Sequence, residues 1–364
     1  MSPTRFERPV LRDPGFYAVT AVGLFALFGI PQILDDFAVY QMTQYVVLSV
    51  YALSLAYIWG YGGILSFGQS AFFGLGGYTF AVSAINMGDT TIPLMLAFAV
   101  PALFGAALGY FMFYGKLSDV YLGVVTLVVA LIFWKIINTT AGPEYAIGDA
   151  RLGGFNGIPS IPIVHVPGDP SAFLDFVPLY QFFTVLLILI YIGLRVLIAS
   201  DFGRITVSIR ENETRTALLG YDVRRHKVIV FAIGSGIAGL AGAMWATYQT
   251  FIDPTSFSLE MSAKALIWTM AGGIGTLFGP ILGVIGLQYL SLRLGELNLS
   301  IPGLGIQINN FIVLGAILIA LVLVLPKGIL PSIRMWLTQG WTLIRQRRGA
   351  SSGQPATKPA TGDV

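Results

Sequence analysis

The residues able to do chemistry gather in two places. The first is residues 199–227, ASDFGRITVSIRENETRTALLGYDVRRHK, which carry Arg204, Arg210, Glu211, Glu213, Arg215, Asp222, Arg224, Arg225 and Lys227 in a chain only 11% charged. Mixed charge at this density suits recognition of another surface. The second place is uncharged: Ser66, Gln69 and Ser70 beside Gly68 inside an apolar run, and Gly273, Gly275 and Thr276 in the other half of the chain. Glycine-interrupted backbone exposes amides and carbonyls that can meet a polar solute without any formal charge. Catalytic signals are missing. His165 and His226 are solitary, with no metal spacing, and without cysteine there is no disulfide, thiolate metal site or thiol nucleophile. No cluster of His, Asp, Glu or Ser stands at catalytic spacing within or beside an apolar run. There is no GxxxxGK[ST] motif, so the chain does not hydrolyse ATP by that machinery. The net charge of +3 is no nucleic-acid footprint, because the basic residues sit at the ends of apolar runs.

The elements that hold these residues are membrane spans. The 364 residues are 55% hydrophobic, with a mean hydropathy of +0.76, which excludes an ordinary soluble domain. The sequence predicts an all-α polytopic protein with about ten transmembrane helices, each matched to a hydrocarbon core of roughly 30 Å. They fall at about 16–34, 43–61, 62–86, 92–114, 120–138, 178–198, 228–249, 259–273, 277–293 and 306–326. The first lacks a small-residue cleavage motif and reads as a retained span. The third carries Gly62, Gly63, Gly68, Gly74, Gly76 and Gly77, so it is expected to be kinked or partly unwound. Residues 1–15 form a cytoplasmic segment and 16–326 the membrane domain. A Gly- and Pro-rich loop at 139–177 lies outside, 199–227 lies inside, and the tail 327–364 is cytoplasmic, disordered from about 349. Charge supports this orientation. Arg5, Arg8, Arg12, Lys116, the six basic residues of 199–227, Lys327, Arg334, Arg345, Arg347, Arg348 and Lys358 fall on one side. The outer loop offers Arg151 against Glu144, Asp149, Asp169 and Asp175.

Within 199–227 the pattern reads as a short amphipathic helix over 204–220. Ile205 and Ile209 are four apart, Ala217, Leu218 and Leu219 follow, Gly220 is placed as a stop and Asp201 as a cap. A loop that merely connects two spans would carry similar charge. Gly234-Ser-Gly236-Ile-Ala-Gly239 matches GxGxxG but sits inside an apolar run with no strand before it, so it reads as a small-residue packing face. Gly62-Gly63-Ile64 and Gly272-Gly273-Ile274 open similar Gly-interrupted stretches in the two halves, the sign of an inverted repeat with a pathway between them. Two well-packed spans would account for the same glycines. Lys135, Arg195, Glu260, Lys264 and Arg293 lie near span ends, where long side chains reach water, and Glu260 and Lys264 are spaced to pair. No acid sits mid-span to bind a proton or sodium ion, which counts against a secondary transporter.

Gly203-Arg204, Ile209-Arg210-Glu211-Asn212-Glu213, Ala217, Gly220 and the following Ile237-Ala238-Gly239-Leu240-Ala241-Gly242-Ala243 together resemble the permease subunits of ABC importers. The likeness is closest to the branched-chain amino acid (and urea/amide) branch. Residues 59–78, WGYGGILSFGQSAFFGLGGY, and Gly275–Gly283 are similar to two further signatures of that branch. LGGFNGIP at 152–159 is similar to a third, with Phe155 where a small polar residue is usual and a shorter Gly-to-Pro spacing. The resemblance covers about residues 43–330. It implies an inner-membrane subunit, multi-pass with both termini cytoplasmic, that moves a branched-chain or other hydrophobic amino acid, or urea or another short amide, by alternating access. It implies two cytoplasmic ABC ATPase subunits docking on Arg204, Arg210, Glu211, Glu213, Ala217 and Gly220. A second permease of the same family and a periplasmic substrate-binding protein complete the assembly in membrane lipid. No cofactor is expected in this chain, since ATP and Mg belong to the ATPase subunits, and the chain itself is no enzyme. A channel or uniporter working without an ATPase is the rival class, and it would need no docking helix.

Overall fold

The computed structural model describes residues 14–166 and 169–296, with Gly315 and Gly328. The expectations for residues 1–13, for the run at 306–326 and for the tail lie outside the described residues, those two glycines apart. Eleven helices are described: α1 Pro14–Ile33, α2 Asp36–Gly60, α3 Gln69–Met87, α4 Thr91–Tyr114, α5 Asp119–Asn138, α6 Phe176–Ala199, α7 Asp201–Glu211, α8 Glu213–Leu218, α9 Val223–Gln249, α10 Leu259–Gly272 and α11 Phe278–Glu296. Six of these, α1, α2, α4, α5, α6 and α9, are long and apolar enough to cross a membrane. The chain is therefore a polytopic helical membrane protein. α10, with 14 residues, extends only about 21 Å, less than a bilayer core.

Helices α2 and α9 form the centre. Of the most apolar 18 residues in each, 78% and 67% are buried, against 6% in α1 and 22–28% in α4, α5 and α6. In lipid there is no hydrophobic gain from helix contact, so close backbone approach must hold the bundle together. The glycine face of α9 provides it. A Cβ placed on Gly239 would lie 2.3 Å from Pro101 Cγ of α4, and one on Gly76 of α3 only 2.2 Å from Gly239 Cα. The GxGxxG stretch is thus a packing face, as its setting in an apolar run predicts.

The expected third span is helical only from Gln69. Residues 61–68 are irregular, and so are residues 250–258 before α10, apart from the two-residue strand and a short 3₁₀ turn, and residues 273–277 before α11. Each of these breaks is rich in Gly, Ser, Thr or Pro, residues whose backbone or side chains satisfy polar groups outside a helix.

The two polar segments lie at opposite ends of the bundle. The described residues of 139–175 sit where α3 and α9 finish: Asn86 Nδ2 donates to the Ile147 carbonyl (2.8 Å), and the short strand Ile158–Pro159 pairs antiparallel with Phe251–Ile252. At the same end His165 contacts the Thr90 hydroxyl at 3.2 Å, with Asp89 3.8 Å away. The Asp89 carboxyl is held below the usual carboxylate range by the Thr91 backbone N–H, with the Thr90 N–H, the Thr91 hydroxyl and His165 adding to it. Residues 200–222 sit at the far end, where α2 and α4 finish and α9 begins.

Candidate functional site

The charged segment folds as two helices where the sequence predicts one. Asn212 separates them: its backbone is extended (φ −161°, ψ 100°), and its side chain accepts the Arg215 N–H at 2.8 Å, capping α8. The cap of α7 is Ser200, whose hydroxyl faces the Gly203 N–H at 3.5 Å, and not Asp201. Asp201 instead pairs with Arg204 at 3.2 Å. Asp222 caps α9 through the Arg225 N–H at 3.1 Å. Gly220 has φ +89°, the left-handed backbone its place as a stop implies, with nothing within 4 Å of where a Cβ would sit.

The buried face of α7 and α8 is Gly203, Thr206, Ile209 and Thr216. Leu218 and Leu219, which apolar periodicity assigns to the inner face, are 83% and 69% exposed, and Tyr221 is 45% exposed. The segment therefore ends in a bare apolar tip among charges. An apolar pair directly before a glycine stop was its signal in the sequence. At the same end of the bundle a hollow of about 400 Å³ is lined by Lys116, Asp119, Glu213, Arg224 and Lys227. Lys227 pairs with Glu213 and lies over the Phe113 ring, and Arg224 lies over Tyr114. Arg204, Glu211, Glu213, Ala217 and Gly220 are all exposed at this end. Arg210 is exposed as well, but its guanidinium, besides pairing with Glu211, reaches inward to donate to the Gly60 carbonyl.

Ser66, Gln69 and Ser70 are completely buried. The Ser70 N–H donates to the Ser262 hydroxyl (3.1 Å), the Ser262 hydroxyl to Ser70 Oγ (2.8 Å), and the Ser70 hydroxyl to the Phe257 carbonyl (3.0 Å). The first turns of α3 and α10 are thereby joined. Gln69 Nε2 donates to Ser54 Oγ at 2.9 Å, while Gln69 Oε1 and Ser66 Oγ have no partner. Buried polar atoms without partners are costly and call for an explanation. At Gly68 a Cβ would lie 1.7 Å from the Thr126 carbonyl oxygen, so α5 crosses against the bare backbone. Gly273, Gly275 and Thr276 do not face these residues. Gly275 lies against Gly60, and the Thr276 hydroxyl donates to the Gly273 carbonyl at 2.8 Å. Ser54 and Ser262, which do face them, are lone hydroxyls in apolar runs with no spacing to mark them. Glu260 and Lys264 pair at 2.8 Å, as their spacing predicts. Among the described residues no group of His, Asp and Glu is arranged to hold a metal ion.

Comparison with known proteins gives the chain's family. Residues 37–323 match the family described as "Branched-chain amino acid transport system / permease component". The chain is 26% identical to the high-affinity branched-chain amino acid transport system permease protein LivM of Escherichia coli, over 86% of this chain and 73% of that protein. It is 28% identical to the LivM protein of Salmonella typhimurium, over 80% and 69%. With the probable branched-chain amino acid transport permease protein LivM of Methanocaldococcus jannaschii it shares 25%, over 78% and 90%. No solved structure matches it.

Proposed function

The chain belongs to the family of branched-chain amino acid transport permease components, and from that premise we propose that it forms the translocation path of an ABC importer driven through residues 199–227. It spans the inner membrane about ten times, with both termini and 199–227 in the cytoplasm and 139–177 in the periplasm. The basic residues of 199–227 against the acidic outer loop support this, as do the opposite ends the two segments occupy. Two ATPase subunits dock on α7 and α8. A second permease subunit packs in the membrane, and a binding protein delivers substrate at the 139–177 face, where Ile147, Phe155 and Phe173 are exposed.

Alternating access rocks the spans around a weak central site at Ser66, Gly68, Gln69 and Ser70, and the turn at Gly273, Gly275 and Thr276 moves with it. A zwitterion there meets backbone amides and the unpartnered Ser66 and Gln69 oxygens. The two Gly-interrupted stretches that open at Gly62-Gly63-Ile64 and Gly272-Gly273-Ile274 are the matching parts of an inverted repeat. The substrate is a branched-chain amino acid, the solute for which the three relatives are named.

The observation that carries the coupling reading is the apolar tip at Leu218 and Leu219, exposed on an otherwise charged segment. A mere connector would have no reason to present it to water. Gly220 tests it. Because no atom of the chain lies within 4 Å of a Cβ there, Gly220→Arg strains the backbone and adds bulk at the docking face, whereas Gly220→Ala adds the strain alone. Reconstituted with its partners, the Arg variant is expected to remain in the membrane but lose uptake and substrate-stimulated ATP hydrolysis, with most uptake kept in the Ala variant. Normal stimulation in the Arg variant would reduce the segment to a connector and favour a channel that works without an ATPase.

A further inference from the structure

The last four carbonyls of a helix have no partner within it. At the end of α2 three of these, from Tyr57, Ile58 and Trp59, accept N–H groups from the turn at residues 61–64. The fourth, from Gly60, accepts Arg210 Nη1, which comes from α7. The stem of the same arginine lies across the turn: a Cβ on Gly63, at φ +70°, would lie 2.8 Å from Arg210 Cγ. The third party is the 273–277 turn. A Cβ on Gly275 would stand 3.8 Å from Arg210 Nη1, and one on Gly60 only 2.8 Å from the Gly275 amide nitrogen. One arginine thus gathers the end of α2 and the break between α10 and α11 at its guanidinium, and the break leading to Gln69 along its stem. The glycines are what let it in.

We propose that Arg210 is the positioning residue that couples the docking segment to the glycine breaks, moving with α7 and carrying the 61–68 and 273–277 turns with it. Glu211, whose side chain is 67% exposed, holds the other side of the same guanidinium, so a surface arriving at α7 acts on both ends of the link. The planar fork holds the carbonyl and the carboxylate in one fixed geometry, whereas a lysine ammonium, with three donors on a flexible stem, can reach both but does not fix them. The proposal rests on the reading of 199–227 as the ATPase-facing segment.

The test uses the reconstituted transporter with Arg210→Met and Arg210→Lys, and reads leucine molecules imported per ATP hydrolysed beside the amount of ATPase co-purified. Import per ATP is counted only over the ATPase retained, so weaker docking at Arg210 lowers the amount of complex without lowering this ratio, whereas loss of the link lowers the ratio itself. Import per ATP should fall about tenfold in the Met variant, the factor that loss of one charge-assisted hydrogen bond brings, with partial rescue in the Lys variant. Spin labels on cysteines at Val207 and Ile274 supply a structural readout. Their separation should stay constant through the ATP cycle with Arg210 in place and change with ATP in the Met variant. Unchanged import per ATP in the Met variant would overturn the proposal, and full coupling in the Lys variant would remove the fork from it. Loss of ATPase recovery in the Met variant with this ratio unchanged would return Arg210 to the docking face. Failure of the unaltered chain to retain any ATPase would overturn the coupling reading as well.

Discussion

Gln69 concentrates the case for the pathway in one side chain. It is completely buried, its Nε2 satisfies Ser54 Oγ, and its Oε1 satisfies nothing. A packing residue would be selected against on those terms, since an unmatched buried acceptor costs about 1–3 kcal/mol. A residue that meets a passing ammonium or amide would keep that oxygen free. The two explanations part at Gln69→Leu, which preserves approximate volume and removes the amide. Ser54 still donates to the Tyr51 carbonyl at 2.6 Å, so little is left unsatisfied. Thermal stability of the purified protein is expected to hold or rise, while reconstituted uptake falls by about tenfold, one hydrogen bond's worth of binding. Unchanged uptake at both limiting and saturating substrate would move the site elsewhere and leave the glycines here as packing.

At the scale of elements, the docking segment depends on caps more than on intrinsic helix formation. α8 has six residues, too few to be stable as an isolated helix. Asn212 starts it, and the Ser208 and Thr216 hydroxyls join α7 to α8 at 2.8 Å. Asn212→Ala removes the acceptor for the Arg215 N–H, at a cost of about 1 kcal/mol. The expected result is faster amide exchange across residues 213–219, with exchange in α9 unaltered and uptake lowered severalfold. Asn212→Asp, which keeps the cap, should restore both. Protection of 213–219 equal to that of the unaltered chain would show that partners, and not the cap, hold α8 in place.

For the whole molecule the decisive property is sidedness. Because α9 runs from the 200–222 end to the 139–175 end, fixing one segment's side fixes the other. The chain has no cysteine, so single replacements report without background. Ser160→Cys is expected to react with an impermeant thiol reagent in cells whose outer membrane is permeabilised, and Ser351→Cys only after the inner membrane is opened. The reverse pattern would invert the topology and place α7 and α8 outside, where no ATPase could reach them.

Much of this was written in local sequence. Hydropathy located the six helices that are long and apolar enough to cross a membrane, because in lipid every backbone polar group must be satisfied within a helix. The charged run could only be a loop, Gly220 marked a left-handed stop, and the 3–4 spacing of Glu260 and Lys264 produced an ion pair. The single-helix reading of 204–220 failed at Asn212, which competes for backbone donors as a cap and outweighs the periodicity around it. The outward turn of Leu218 and Leu219 and the inward turn of Arg210 were beyond local pattern. They depend on which side of α7 meets α2 and α9. The same holds for Ser262 facing Ser70 and Gly275 facing Gly60, pairs about 200 residues apart. Residue type and spacing determine where a chain can be helical and where it must break. Only packing decides which breaks meet, because glycine contacts leave no side-chain signature of their partner.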